Sequence, residues 1–375
     1  MTARIAIASG GTGGHFYPTL AIARELQRRD AEVTLLVAGR HAAAQRALAS
    51  AEGLAAIEVP SFRMPDGVLS ALAFPWRAAA AVRAARREVR SLKPEVLLGM
   101  GSFAAVPACL AARREGVPLV LHEGNAWMGR ANRAASRWAR CAGLSLPLVE
   151  GCPVHCPTVT TGMPLRAALV EAARVGAWPE AFAAAAGLSR SRRTLLVFGG
   201  SQGARFINDL LRQTAPLLAA LAERVQVLHL TGTDDNAALL EAYRAAGLTA
   251  WVRRSEADIQ HAYLAADLVL CRGGASSLCE LALFGKAAIV VPLPTAAEDH
   301  QTANARVLAA RQAIRHWPQR EASPAGLAEI LHGWLADPGP YEAQARAIRA
   351  LAMPDAATRM AALCLEHVPA ARPGA

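Results

Sequence analysis

Short apolar runs alternate with amphipathic stretches along both halves of the chain, and this alternation constrains the fold more than any other feature of the sequence. The runs are Ile5–Ala8, Val33–Val37, Val96–Leu98 and Leu119–His122 in the first half, and Leu195–Phe198, Val225–Leu230, Leu268–Cys271 and Ala288–Val291 in the second. Strands that are apolar throughout and alternate with helices are typical of parallel sheets covered on both faces. The pattern therefore predicts an α/β protein with two doubly wound sheets.

A stretch rich in proline, glycine and cysteine, between residues 152 and 164, separates the two series and is typical of a linker. The 375 residues are enough for two separate cores. We assign residues 1–160 to a first domain and 161–351 to a second. A last helix, about residues 352–375, is expected to pack back on the first domain. In this architecture ligands bind beyond the carboxyl ends of the strands, and we expect the two domains to face each other across a cleft.

Charge and cysteine usage narrow the class of partner and the compartment. The net charge of +10 indicates an anionic partner, which is a phosphate ligand, a nucleic acid or an anionic membrane surface. No helix-turn-helix, zinc-finger or RNA-stacking signature accompanies the charge, so nucleic acid is disfavoured.

The seven cysteines are an odd number scattered over a long chain, which is typical of a reduced cytosolic protein. The first strand follows Met1 too closely for a cleavable signal.

Glycine-rich turns follow four of the expected strands. They are Ser9–His15, Gly99–Ser102, Phe198–Arg205 and Arg272–Ser277. Glycines at the start of a helix let backbone N–H groups approach an anion closely. The first turn is not a dinucleotide fingerprint, since Phe16 stands where a third glycine is needed, and it lacks the Lys-Ser/Thr pair of a P-loop. Four such turns favour an extended phosphate-bearing ligand, the alternative being ordinary strand–helix turn chemistry.

Three sites near these turns carry side chains that are candidates for catalysis or substrate binding. His15 ends the first turn and either takes a proton from a sugar hydroxyl or positions the loop. Glu280 either accepts hydrogen bonds from a ribose diol or is an acid favoured by the dipole of its helix. The polar group around His300 and Gln301 either binds sugar hydroxyls or caps a helix.

Metal chemistry is not indicated. Cys152, His155 and Cys156 offer only three close ligands, without the second pair that a zinc site requires. No Asp-x-Asp pair follows a strand end, so we expect no divalent cation and no other cofactor to be required.

A basic and apolar segment, from Met64 to Arg90, is the candidate membrane contact. Leu72, Phe74, Trp76 and Arg77 lie at its centre. Apolar and aromatic residues beside arginines are typical of helices in a lipid interface. A solvated helix with one core-facing side explains the same pattern equally well.

Several motifs together resemble the MurG family of bacterial N-acetylglucosaminyltransferases, within glycosyltransferase family 28. They are Gly10–His15, Gly99–Gly101, His122–Asn125, Thr161–Arg166, Gly199–Arg205 and Asp299–Ala305. The resemblance runs in order across essentially the whole chain. It implies a GT-B fold and an inverting transfer of GlcNAc from UDP-GlcNAc to the C4 hydroxyl of MurNAc in lipid I, giving lipid II for peptidoglycan. It also implies a peripheral enzyme on the cytoplasmic face of the inner membrane, with other wall-synthesis and division proteins as further partners.

The resemblance also implies a role for each matching residue. His15 is the candidate base, Glu280 contacts the ribose, and the substrate-binding residues are Thr12, Gly13, Gly14, Asn125, Arg166, Ser201, Gly274, Ala275, Ser276, His300 and Gln301. Ser255 and Glu256 occupy the stretch that supplies an apolar pair beside the uracil in the family, which is a departure from its pattern. Two rival functions share the expected architecture: a UDP-GlcNAc 2-epimerase and a catalytically idle nucleotide-sugar-binding scaffold.

Overall fold

The structure is a computed structural model, and it describes residues 2–11, 13–62, 68–200 and 205–369 of the chain. The chain divides into two compact units. The first comprises Met1–Arg166 and Met353–Ala375, and the second comprises Ala167–Ala352.

The first unit contains a parallel sheet of seven strands in the order β3-β2-β1-β4-β5-β6-β7. The strands are β1 (Arg4–Gly10), β2 (Glu32–Ala38), β3 (Ala55–Glu58), β4 (Val96–Gly99), β5 (Leu119–Glu123), β6 (Cys141–Leu144) and β7 (Thr158–Thr160). The helices are α1 (Gly13–Gln27), α2 (Ala42–Ala51), α3 (Val68–Leu92), α4 (Val106–Glu115) and α5 (Arg130–Ala135).

The second unit contains a six-stranded parallel sheet in the order β10-β9-β8-β11-β12-β13. The strands are β8 (Arg193–Phe198), β9 (Val225–Leu230), β10 (Thr249–Arg253), β11 (Leu268–Cys271), β12 (Ala287–Val290) and β13 (Arg315–His316). The helices are α6 (Ala167–Val175), α7 (Glu180–Ala185), α8 (Arg205–Thr214), α9 (Ala237–Ala245), α10 (Ile259–Ala265), α11 (Ala275–Phe284), α12 (His300–Ala309), α13 (Pro324–Ala336) and α14 (Gly339–Arg349).

The apolar runs form the centre of each sheet. Ile7 of β1 and Leu98 of β4 are fully buried in the first unit, and Val197 of β8 and Leu270 of β11 are fully buried in the second. Each sheet has helices on both faces, so side chains pointing to either face enter a core. The expected doubly wound architecture is therefore confirmed.

The boundary between the units differs from the one expected from sequence. Residues 161–166, which we assigned to the second domain, belong to the first unit. The expected linker contains β7, which pairs with β6. The backbone N–H groups of Thr161 and Gly162 then donate to the Leu144 carbonyl oxygen, each at 3.0 Å. These long-range hydrogen bonds keep the segment on the first sheet.

A last helix, α15 (Ala356–Leu365), belongs to the first unit although it follows the second in the chain. Its buried Met360 and Cys364 join the core formed by α1 and the first sheet. Thr358 also donates to the Glu25 carboxylate at 3.2 Å. Apolar burial is the main force that holds this helix there.

Each sheet has one point at which successive strands are added on opposite sides. This switch point lies between β1 and β4 in the first sheet and between β8 and β11 in the second. Helices leaving neighbouring strands diverge there, which opens a crevice at the carboxyl ends. The four glycine turns follow these same four strands. Among the helices that the structure describes, none is long and apolar enough to cross a membrane.

Candidate active site

The first glycine turn is held close to the loop that follows β4. A side chain at Gly10 would place its Cβ 2.4 Å from the Ala104 Cβ and 2.6 Å from the Ala38 carbonyl oxygen, so only glycine fits. The Gln45 side chain donates to the Gly11 carbonyl oxygen at 3.1 Å. The turn therefore has no room for a side chain at Gly10, and backbone N–H groups of a turn at the start of a helix suit an anion.

His15 lies on the first turn of α1, half-buried, beside the β4 loop. Its Nδ1 is 3.1 Å from the Met100 carbonyl oxygen. Because a carbonyl oxygen only accepts, this contact places the proton on Nδ1 and leaves the lone pair on Nε2. The His15 backbone carbonyl is in turn held by the Thr19 hydroxyl at 2.8 Å. The ring is therefore held in one orientation, with its lone pair on Nε2.

A buried polar network lies behind His15. The Glu123 carboxylate accepts from the backbone N–H groups of Asn125 and Gly129, both at 3.0 Å, and from the side-chain amide of Asn132 at 3.0 Å. The Asn125 side chain also donates to it at 3.2 Å. Glu123 is 4% exposed, and a buried carboxylate requires such donors. The network fixes the loop that presents Asn125.

His122 is the second histidine of this region. It is buried, its Nε2 lies 2.9 Å from the Ser145 hydroxyl, and its backbone carbonyl accepts from Asn132 at 2.8 Å. Burial, together with the nearby charge of His15, lowers the pKa of His122 to about 4. His122 is therefore neutral at pH 7.

Arg166, the last residue of the first unit, lies over the ring of Tyr17 with its Cζ 5.3 Å from the ring centroid. Tyr17 belongs to α1, two residues after His15, and is 45% exposed. This cation–π contact places the half-buried guanidinium beside the first turn of α1. Its planar N–H groups suit a phosphate oxygen.

The second unit presents the N-terminus of α11 at its switch point. Gly274 precedes the helix with extended backbone angles, and Ala275 and Ser276 form its first turn. These residues are partly exposed. The N–H groups of a first helical turn have no partner within the helix and carry the positive end of the dipole. This end of the helix suits a diphosphate.

Glu280 lies further along α11 and is held from behind by a buried tyrosine. The Tyr263 hydroxyl donates to its carboxylate at 2.8 Å. Tyr263 is fully buried and stacks on Phe284, with ring centroids 5.0 Å apart. The hydroxyl leaves the carboxylate with further acceptor capacity, which suits a vicinal diol.

Gln301 connects two loops of the second unit. Its carboxamide oxygen accepts from the backbone N–H groups of Gly273 at 3.1 Å and Leu293 at 3.0 Å. Nearby, the buried Asn304 donates to the Gly273 carbonyl oxygen at 3.0 Å. The side chain therefore holds the loops after β11 and β12 together, and its carboxamide nitrogen is the part suited to a ligand.

His300 lies at the first position of α12, half-buried. Its Nδ1 is 2.7 Å from the Ala297 carbonyl oxygen, so its Nε2 carries the lone pair.

Ser255 and Glu256 follow β10, and the Glu256 carboxylate accepts from the Asp258 backbone N–H at 2.9 Å.

The remaining predicted site residues are those outside the described ranges and those of the expected membrane contact. Thr12, Ser201 and the side chain of Leu72 lie outside the described residues. On α3, Trp76 is 76% exposed and Arg77 is exposed, whereas Phe74 packs edge-on against Phe62 with ring centroids 5.4 Å apart.

Cys152, His155 and Cys156, the three close cysteine and histidine residues of the expected linker, lie in a segment that makes hydrogen bonds to the first unit. Cys152 Sγ accepts from the Met128 N–H, and burial raises the pKa of the Cys156 thiol. The described part of the chain contains no group of three or more His, Cys, Asp or Glu side chains arranged to hold a metal ion.

Sequence reasoning gave no role to Glu123, Asn132 or Arg272. Arg272 is 5% exposed and donates to the carbonyl oxygens of Val291 and Pro292 and to Gln319. Burial lowers its pKa to about 10, so it remains charged at pH 7. The sequence offered a signal for two of them, since Glu123 lies within the His122–Asn125 motif and Arg272 follows an apolar strand, where a buried polar group is unusual. Nothing in the sequence singled out Asn132.

Comparisons with known proteins agree with this architecture. Residues 5–144 match the glycosyltransferase family 28 N-terminal domain, and residues 194–360 match the glycosyltransferase family 28 C-terminal domain. A relative from Syntrophotalea carbinolica is 35% identical over 96% of this chain and 98% of its own length. One from Pseudomonas fluorescens is 39% identical, over 98% and 99%. Both are named UDP-N-acetylglucosamine--N-acetylmuramyl-(pentapeptide) pyrophosphoryl-undecaprenol N-acetylglucosamine transferase.

Solved structures give the same result. The crystal structure of Acinetobacter baumannii MurG matches with a TM-score of 0.77 and 28% identity, over 98% of this chain and all of that one. A UDP-GlcNAc 2-epimerase from Neisseria meningitidis, bound to UDP-GlcNAc, matches over 97% of this chain and all of that one, with a TM-score of 0.69. Its 14% identity makes that a likeness of fold alone.

Two parallel α/β units, together with the match to the MurG structure and to both glycosyltransferase family 28 domains, identify a glycosyltransferase of the GT-B type. Since both domain matches and the near-full-length identities agree, the chain belongs to glycosyltransferase family 28.

Proposed function

We propose that this enzyme transfers GlcNAc from UDP-GlcNAc to the C4 hydroxyl of MurNAc in undecaprenyl-pyrophosphoryl-MurNAc-pentapeptide, with inversion at the anomeric carbon. The observation that carries the proposal is the identity of 35% and 39% to transferases of that name over nearly the whole of both chains. The sites in the two units supply the chemistry that such a transfer needs.

The donor is assigned to the second unit. Its diphosphate would lie at the N-terminus of α11, where Gly274, Ala275 and Ser276 present backbone N–H groups. Glu280 would accept from the ribose diol, with Tyr263 holding the carboxylate. His300 and the carboxamide nitrogen of Gln301 would contact hydroxyls of the sugar.

The remaining predicted contacts belong to the same proposal. Arg166 and Ser201 would bind the α-phosphate, Thr12, Gly13 and Gly14 would face phosphates, and Asn125 would contact the donor sugar. Peptide N–H groups and a guanidinium would then stabilise the charge of the leaving diphosphate. On this proposal the reaction requires no divalent cation or other cofactor.

The acceptor is assigned to the first unit, with His15 as the base. The Met100 carbonyl holds the proton on Nδ1, so Nε2 can take the proton of the C4 hydroxyl. The hydroxyl oxygen forms a bond to the anomeric carbon while the bond to the UDP oxygen breaks, and UDP leaves with the electron pair. Direct displacement inverts the configuration without a covalent intermediate.

The acceptor is a lipid, so we propose a peripheral location on the cytoplasmic face of the inner membrane. Exposed Trp76 and Arg77 on α3 support this contact. An aromatic ring beside a cation suits the interface of an anionic bilayer.

Measuring UDP release with lipid I, and again without any acceptor, tests the proposal. The expected result is release that depends on lipid I and forms the β-linked disaccharide. Conversion of UDP-GlcNAc without acceptor would indicate an epimerase. Binding of UDP-GlcNAc without turnover under either condition would indicate an idle scaffold.

A further inference from the structure

A cavity of about 270 Å³ lies within the second unit, between the loop after β12, the exposed side of α12 and the segment after β13. It is smaller than the roughly 300–1,000 Å³ of ordinary ligand pockets. A small metabolite fits this volume better than a nucleotide sugar does. None of the residues to which the proposed function assigns a substrate contact lines it.

Hydrogen-bond donors predominate among the polar groups that line the cavity. Arg306 of α12 and Arg320, which follows β13, contribute two guanidinium groups, and Thr302 contributes a hydroxyl. Arg320 pairs with Glu321. Within the described ranges, no acidic side chain pairs with Arg306. Asp299 is the one acid among the lining residues, so their net charge is positive.

His316 lines the same cavity, and its Nε2 is buried without a hydrogen-bond partner among the residues that the structure describes. A buried polar atom without a partner is unusual in a folded protein. Burial and the charge of Arg306 lower the pKa of His316, so the ring is neutral at pH 7 and presents either a donor or an acceptor. Three prolines, Pro292, Pro294 and Pro318, supply an apolar wall.

The cavity is connected to the glycine turn after β11 by two routes. Gln319, a lining residue, accepts from the buried Arg272 at 2.9 Å, and Arg272 directly precedes Gly273. Thr302, another lining residue, directly follows Gln301, which holds the Gly273 N–H. A ligand in the cavity would therefore contact the supports of the turn to which the donor diphosphate is assigned.

We propose that this cavity binds a small phosphorylated molecule. The phosphate would be held by Arg306 and His316, and the carbon skeleton would pack against the prolines. The Arg306 guanidinium, the Thr302 hydroxyl and the buried imidazole nitrogen of His316 suit the several oxygens of a phosphate. Binding there is coupled to binding of the donor, and this coupling rests on the proposed function.

Direct binding of two probes, inorganic phosphate and a hexose 6-phosphate, tests the proposal by calorimetry on the full chain without donor or acceptor. Arg306→Gln removes the cavity guanidinium. Arg311→Gln is the matched control, because Arg311 lies just beyond the same helix and does not line the cavity. We expect the hexose phosphate to bind more tightly than phosphate alone, Arg306→Gln to weaken it about tenfold, and Arg311→Gln to leave it unchanged.

Absence of binding to the unsubstituted protein, or equal weakening in both variants, would overturn the proposal. Full competition, in which the apparent Kd of the probe rises in proportion to the UDP concentration without limit, would also overturn it, since the probe would then occupy the nucleotide site. For the coupling, the Kd of UDP should change severalfold when the hexose phosphate is saturating, and this change should disappear in Arg306→Gln. An unchanged Kd of UDP refutes the coupling. The Kd of UDP without probe tests the donor site separately.

Discussion

His15 Nδ1 lies 3.1 Å from the carbonyl oxygen of Met100, and this contact between two glycine turns assigns the lone pair of the imidazole to Nε2. Met100 follows β4 and His15 follows β1, so the two strands at the switch point of the first sheet jointly orient the ring. A ring held in this way presents Nε2 as an acceptor, which is what the proposed base requires.

Replacing His15 by alanine should lower kcat by about a hundredfold to ten-thousandfold, the usual contribution of a general base. The Kd of UDP should remain unchanged, because UDP binding is assigned to other residues. Steady-state UDP release and calorimetry measure the two quantities. His41→Ala is the control, since His41 is an exposed histidine of the same unit. If His15→Ala keeps its kcat, another group is the base.

Replacing Glu280 by glutamine should raise the Kd of UDP by about tenfold to 150-fold, since a hydrogen bond to a charged group is worth about 1.5–3 kcal/mol. Tyr263→Phe removes only the hydroxyl that holds the carboxylate at 2.8 Å and should have a smaller effect in the same direction. Glu329→Gln, an exposed acid on α13, is the control. Equal Kd values for Glu280→Gln and Glu329→Gln would remove Glu280 from the ribose site.

A Cβ at Gly273 would lie 2.6 Å from the Gln301 carbonyl oxygen, so Gly273→Ala should push the turn after β11 away from the start of α12. Overpacking of this kind costs about 1–3 kcal/mol. We expect a lower melting temperature and weaker UDP binding. Gly333→Ala is the comparison, because a Cβ at this helical glycine meets no atom within 4 Å and alanine favours the helix. A melting temperature at Gly273→Ala equal to or above that of the unsubstituted chain contradicts the packing described above.

His229 should make the stability of the second unit depend on pH. It is fully buried between the Tyr243 hydroxyl and Asn208, and burial lowers its pKa from 6.5 to about 3. Below pH 6.5 the unfolded chain takes up a proton that the folded chain does not. The stabilisation is therefore complete above pH 6.5 and is lost as the pH falls from 6.5 towards 3.

The loss from His229 amounts to about 2 kcal/mol between neutral pH and pH 5. Urea unfolding at pH 7 and pH 5 measures it. His229→Asn should show a smaller difference between the two pH values than the unsubstituted chain, whereas His332→Asn, an exposed histidine on α13, should not change it. The same difference in all three proteins would exclude His229 as the source.

Replacing Trp76 by serine or Arg77 by glutamine should weaken binding to vesicles that contain anionic lipid. A basic residue at such a surface is worth about 1 kcal/mol, or about fivefold in partitioning. Vesicle sedimentation measures the bound fraction. Leu217→Ser, which removes an exposed apolar side chain from the second unit, is the control. Unchanged binding in both α3 variants would assign the membrane contact elsewhere.

Much of the fold could be predicted from the sequence because its signals are local. The apolar runs at Val225–Leu230 and Leu268–Cys271 coincide with β9 and β11. Five strands were not predicted. The edge strands β3, β7, β10 and β13 are partly or wholly exposed, and β6 is a buried strand of only four residues that contains a glycine. Little in their composition distinguishes such strands from loops.

The candidate site was predictable in its positions and not in its contacts. The glycine turns indicated where a ligand would lie, but nothing in the sequence shows that the Gln301 oxygen is engaged by Gly273 and Leu293. The donors to Glu123 come from residues two to nine positions further on, across a loop and a helix. Such contacts depend on loop conformation, which periodicity does not encode.

The sequence by itself determined two parallel α/β cores and the glycine turns that follow four of their strands. The periodicity of apolar residues and the conformational freedom of glycine are both properties of short segments, so they can be read without the tertiary structure. Only the tertiary structure decided that residues 161–166 stay on the first sheet, that α15 returns to its core, and which nitrogen of His15 carries the lone pair. These outcomes depend on hydrogen bonds and packing between residues far apart in the chain, whose partners are fixed only when the sheets have formed.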